Sequence, residues 1–128
     1  MYNLILVALG GAIGASGRYG LSAFSLRQFG PGFPVGTLAA NIIGSAAMGL
    51  LVGWLAFRGA ENAQSVRLFL GVGLLGGFTT FSAFSLESYL MLEKKAFGAF
   101  LGYIGASFFI SLAALALGLW ISRMVFSS

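Results

Sequence analysis

Four long apolar stretches, each of membrane-spanning length and separated by turns of only a few residues, constrain this chain more than any other feature. They run over about 4–24, 35–57, 66–91 and 97–124. A helix needs about 20 mostly apolar residues to cross a bilayer, and all four meet that length. The connections are short and polar or turn-forming. Residues 28–34 hold both prolines and two glycines, 58–65 hold Arg58, Glu61 and Asn62, and Glu93-Lys94-Lys95 makes a tight hairpin. The first stretch lacks a basic leader and exceeds a typical signal-peptide core, so it reads as a retained span. The expectation is an all-α membrane protein, residues 1–128 forming a single four-helix transmembrane domain.

Composition closes off the alternatives. Charged residues are 8% of the chain and hydrophobic ones 59%, whereas a soluble domain carries about 25% charged residues. Disorder requires the opposite balance, low hydrophobicity with high charge. Cys and His are both absent, which excludes a disulfide framework, a thiolate nucleophile, an imidazole base and a zinc site of the usual kind. No nucleophile–base set is visible, and the chain does not read as an enzyme. Its seven basic residues are scattered rather than gathered in a patch, so no nucleic-acid partner is expected.

Glycine is the second signal. Gly10-xxx-Gly14, Gly49-xxx-Gly53, Gly73-xxx-Gly77 and Gly98-xxx-Gly102 are spaced for close helix packing in lipid. Gly76-Gly77 differs, because it interrupts the middle of the third stretch and is followed at once by Thr79-Thr80. This predicts a broken helix at mid-membrane, where freed carbonyls are tolerated only if protein, water or an ion satisfies them.

Basic residues near span ends set orientation. Arg58, Arg67 and Arg123 fall on one side, and Arg27, Lys94 and Lys95 on the other, with Arg18 inside the first span. The balance predicts insertion in both orientations. A chain inserted both ways can pair with its inverted copy about a two-fold axis in the membrane plane.

Polar groups inside a membrane are costly and so are functional candidates. Thr37, Asn41 and Ser45 share one face of the second span, and Tyr103, Ser107 and Ser111 share one face of the fourth. Each can donate a hydrogen bond. Phe81 and Phe84 are i, i+3 neighbours just after the break, and their positive ring edges can line an anion path without a full charge. Arg18 is the one cation more than a residue inside a span, and Glu87 is the one acid within a span. Competing readings are tight packing for the aromatic residues, snorkelling for Arg18, and hydroxyls bonded to their own helix.

The run Gly76-Gly77-Phe78-Thr79-Thr80-Phe81-Ser82-Ala83-Phe84-Ser85 closely resembles the Fluc (CrcB) fluoride channels of bacteria. Gly17-Arg18-Tyr19 and the Gly-Thr-Leu-Ala-Ala-Asn run at 36–41 match as well, in the same order, so the resemblance covers essentially the whole chain. One departure is Ala83, where many relatives carry Thr. The resemblance implies a dual-topology, antiparallel homodimer in the bacterial cytoplasmic membrane, with two pores that passively export fluoride. It implies pore roles for Asn41, Phe81, Phe84, Ser107 and Ser111, with Tyr103, Thr37 and Glu87 nearby and Arg18 in an electrostatic or vestibular position. It also implies one structural Na⁺ at the dimer axis, held by the carbonyls of Gly76 and Thr79, with a one-residue alternative at Gly77 and Thr80. No organic cofactor is implied.

Two other functions were weighed. A small proton-coupled cation exporter needs a central membrane carboxylate, and Glu87 lies near a span end. A non-transporting interaction subunit explains the glycines but not two polar stripes and a mid-helix break.

Overall fold

In the computed structural model, residues 1–58 and 61–126 are described. Four helices are long and apolar enough to cross a membrane: Tyr2–Phe29, Val35–Phe57, Ala63–Glu93 and Phe97–Phe126. All four expected spans are present, and the first is extended most, by two residues at its start and five at its end. Hydrogen bonding does not stop where the apolar run stops, because a helix already nucleated adds one bond per residue fixed. Residues 59–60 of the predicted 58–65 turn lie outside the described residues.

Two glycine seams hold the bundle. In the first, the first span lies against residues 67–78 of the third so closely that side chains have no room. A Cβ on Gly14 would collide with the Leu74 carbonyl, and one on Gly77 would sit 2.8 Å from the Gly11 carbonyl oxygen. In the second seam, Gly49 meets the Leu115 carbonyl and Gly118 meets the Ala46 carbonyl. Ser122, fully buried, donates to the Leu50 carbonyl at 2.7 Å and fastens the second span to the fourth. Lipid offers no hydrophobic drive between helices, so such close approach supplies the cohesion. The fourth expected glycine pair behaves differently: Cβ atoms on Gly98 and Gly102 would meet nothing within 4 Å.

The third span is broken, but not at its glycine pair. Helix continues through Gly76–Phe78, and the extended residues are Thr79 (φ −84°, ψ 156°) and Thr80 (φ −150°, ψ 127°). β-branched threonine favours extended backbone, while Gly77 is needed in the seam against the first span. Helix resumes at Phe81–Glu93 with Thr80 as its N-cap, the hydroxyl accepting from the Ala83 N–H at 3.2 Å. Two segments, Arg67–Leu75 and Ala106–Ile110, follow wider π-type turns.

Candidate functional site

Asn41 organises the break. Its Oδ1 accepts from the Thr80 N–H at 2.8 Å, and its Nδ2 donates to the Thr80 carbonyl at 3.2 Å. One side chain thus satisfies both backbone groups of a residue that no longer belongs to a helix. Arg18 acts nearby, its Nε donating to the Gly77 carbonyl at 3.4 Å. Thr79 turns its hydroxyl back to the Leu75 carbonyl at 3.0 Å.

These diversions leave particular oxygens over. In an unbroken helix the Thr80 N–H would bond the Gly76 carbonyl and the Ala83 N–H would bond the Thr79 carbonyl. Here the first goes to Asn41 and the second to the Thr80 hydroxyl. The carbonyls of Gly76 and Thr79 thereby lose their usual donors, while those of Gly77 and Thr80 receive Arg18 and Asn41. Neutral carbonyl oxygens are hard donors that suit a hard monovalent cation, so the residues present fit a site of that kind. Among the described residues no cluster of His, Cys, Asp or Glu could hold a metal.

Beside the break lies a groove of about 530 Å³. Asn41 and Ser45 of the second span, Phe81 and Phe84 of the third, and Ser107 and Ser111 of the fourth all line it. The hydroxyls of Ser107 and Ser111 are buried and have no hydrogen-bond partner. An unmade buried hydrogen bond costs about 1–3 kcal/mol, so this wall holds unspent donor capacity.

A second cavity, of about 340 Å³, opens at the bundle end formed by the first and third turns. Its polar lining is Ser22, Ser25, Thr37, Glu87 and Lys94. Tyr103, fully buried, lines neither space but touches the lining of both: it donates to Glu87 Oε1 of the second cavity at 3.2 Å and packs against Phe84 of the groove. Rings continue the row: Phe33 meets Tyr103 edge-on at 5.5 Å, Phe84 lies 5.2 Å from Tyr103, and Phe81 lies 5.6 Å from Phe84. Offset and edge contacts at these spacings are favourable for aromatic quadrupoles.

The sequence candidates therefore separate by depth. Thr37 and Glu87 face the outer cavity, Asn41, Phe81, Phe84, Ser107 and Ser111 face the inner groove, and Tyr103 touches the lining of both. Arg18 lines neither cavity and sits against the break instead. The outer cavity itself was missed, with Ser22, Ser25 and Phe33. The i, i+3 pair Ser22 and Ser25 just before a proline-rich turn was the available signal.

Donor-lined space beside a broken membrane helix is an arrangement suited to a helical membrane protein of the ion-conducting class. The sequence profile described as "CrcB-like protein, Camphor Resistance (CrcB)" matches residues 5–119, and the chain belongs to this family. It is 53% identical over 127 residues to a protein of Phenylobacterium zucineum named "Fluoride-specific ion channel FluC", covering 99% of this chain and all of the relative. Proteins of the same name from Caulobacter vibrioides and Hyphomonas neptunium are 48% and 51% identical, each over 99% of this chain and the whole relative.

Proposed function

We propose that the protein is a fluoride-selective channel that lets cytoplasmic fluoride leave passively across the bacterial cytoplasmic membrane. The observation that carries this reading is the pair of unpartnered hydroxyls, Ser107 and Ser111, in a groove shared with Asn41 and the rings of Phe81 and Phe84. Fluoride is small and strongly hydrated, so entry requires substitutes for water. Hydroxyl and amide donors together with positive ring edges provide them in succession, and none is a full charge that would trap the ion. Asn41 has one amide hydrogen left after bonding the Thr80 carbonyl, which is free for an anion.

The working unit is proposed to be an antiparallel homodimer with two pores. Support comes from the three-against-three balance of basic residues and from the apolar faces each subunit leaves exposed, among them Phe81, Phe108 and Phe109. A structural Na⁺ at the two-fold axis is proposed to be held by the carbonyls of Gly76 and Thr79, whose usual donors are diverted. Bound there, it neutralises carbonyl dipoles and ties the two breaks together. Arg18 then serves to position the break rather than to meet the ion.

The test is ion flux in liposomes holding purified protein. Fluoride efflux far above chloride, without proton coupling, is expected; chloride conduction or obligatory proton exchange would overturn the assignment. Tagging one terminus should reveal both orientations, and a single orientation would defeat the antiparallel dimer. Exhaustive replacement of Na⁺ by a large organic cation should weaken assembly, and unchanged assembly would count against the sodium site.

A further inference from the structure

We infer that Lys94 is the charge that draws anions into the outer cavity, and hence that it sets the rate at which the channel loads. The inference rests on the proposed fluoride conduction. The third turn carries Glu93, Lys94 and Lys95, but of these only Lys94 lines the 340 Å³ cavity. Backbone geometry makes the selection. Lys94 closes the helix with its N–H on the Leu90 carbonyl at 3.1 Å, whereas Lys95 takes a left-handed conformation at φ 59° as the chain reverses. Two adjacent lysines in one turn thus occupy different environments.

Glu87 is the cavity's other charged group, and it accepts from Tyr103 at 3.2 Å. Lys94 is exposed, beside the serines and Thr37 of the lining. A cation at the mouth of a low-dielectric recess raises the local anion concentration, because the walls focus its field. The Ser22, Ser25 and Thr37 hydroxyls can then hold the ion before it reaches the ring of Tyr103. Without Lys94, the one charged group left in the lining is the repelling carboxylate of Glu87. The cavity is built from one chain alone, so the inference does not depend on how two copies pair.

The experiment compares Lys94→Gln, Lys94→Arg and Lys95→Gln with the parent in liposome fluoride efflux, at fluoride well below saturation and with ionic strength set by an inert salt. Both glutamine variants lose one charge from the same turn, so net charge and topology bias change equally. At ~10 mM salt, where the Debye length is ~30 Å, Lys94→Gln should lose roughly three- to tenfold in rate. At ~1 M, with a Debye length of ~3 Å, the difference should nearly vanish. Lys94→Arg should keep the parent rate, and Lys95→Gln should stay within about twofold of it. Parent-like flux in Lys94→Gln at low salt, or an equal loss in Lys95→Gln, would overturn the role of Lys94 and leave fluoride conduction standing. A parent protein that passes no fluoride under any condition would overturn both.

Discussion

The two halves of the third span differ in composition, glycines on one side of the break and serines and glutamates on the other, and they do opposite work. Residues 67–78 are zipped to the first span by backbone contact, with Gly73 3.0 Å from Gly10 Cα for any added Cβ and Gly77 equally hemmed in. Phe81–Glu93 has no such seam, and Phe81, Leu86 and Tyr89 stand exposed. Between them Thr79 and Thr80 are extended, with Thr80 held from outside by Asn41 and the Gly77 carbonyl just before them by Arg18. One half carries the fold and the other carries the surface an ion or a second copy would use. A single helix can be divided this way because the break uncouples the packing register on its two sides.

The comparison can be broken most severely at the seam. Gly14→Leu drives a side chain into the Leu74 carbonyl, which is backbone and cannot step aside. Overpacking typically costs about 1–3 kcal/mol, and rigid backbone on both sides puts this case at the upper end or beyond. The expected outcome is loss of monodisperse protein in detergent, checked by size-exclusion elution.

Next comes Asn41→Asp. The new carboxylate can still accept from the Thr80 N–H, but it loses the amide that donates to the Thr80 carbonyl and brings negative charge to the groove. Near-complete loss of fluoride flux is expected with the elution profile unchanged. Parent-level flux in folded Asn41→Asp protein would remove Asn41 from the pathway.

On the far side of the break, Phe81→Ile and Phe84→Ile keep approximate size and apolarity but delete the ring quadrupole. Hydrophobic swaps that preserve volume usually cost under ~1.5 kcal/mol, so elution should stay normal while flux falls strongly. Weakened folding or assembly with normal flux per folded protein would make both rings packing residues.

The smallest effect on stability, and the sharpest separation of fold from function, belongs to Ser107→Ala and Ser111→Ala. Neither hydroxyl has a partner to lose, so thermal stability should hold or rise slightly as an unsatisfied polar group disappears. Flux should fall several-fold all the same. A drop in melting temperature with unchanged flux would show that these hydroxyls serve the fold.

Much of this arrangement was legible in the residues. The four spans follow from length and apolarity, and the Phe81–Phe84 row and the serine track follow from helical spacing. The sequence spreads the break over 76–80 and the structure confines it to Thr79 and Thr80, because glycine flexibility and glycine packing look alike in a sequence. Only the first span lying against Gly77 shows which applies. Gly98 and Gly102 illustrate the converse, a packing spacing with no neighbour inside the subunit. Arg18 could be read as an interfacial or a pore cation, and its bond to the Gly77 carbonyl lies 59 positions away in the chain.

Sequence alone determined that this chain enters a membrane as four helices, that its polar groups inside are mostly uncharged donors, and that one helix is interrupted. These are local or additive properties: transfer free energy sums along a segment, and periodicity assigns a face. Tertiary structure decided which backbone groups at the break are left without donors, which of two neighbouring lysines looks into the cavity, and that Tyr103 touches the lining of two spaces instead of lining one. The first of those outcomes depends on helices approaching within backbone contact at glycines far apart in the chain, and the others on how the turns and rings settle around that packing. A hydrogen bond that closes across such a distance is specified by the packing of two spans and has no signature in either one by itself.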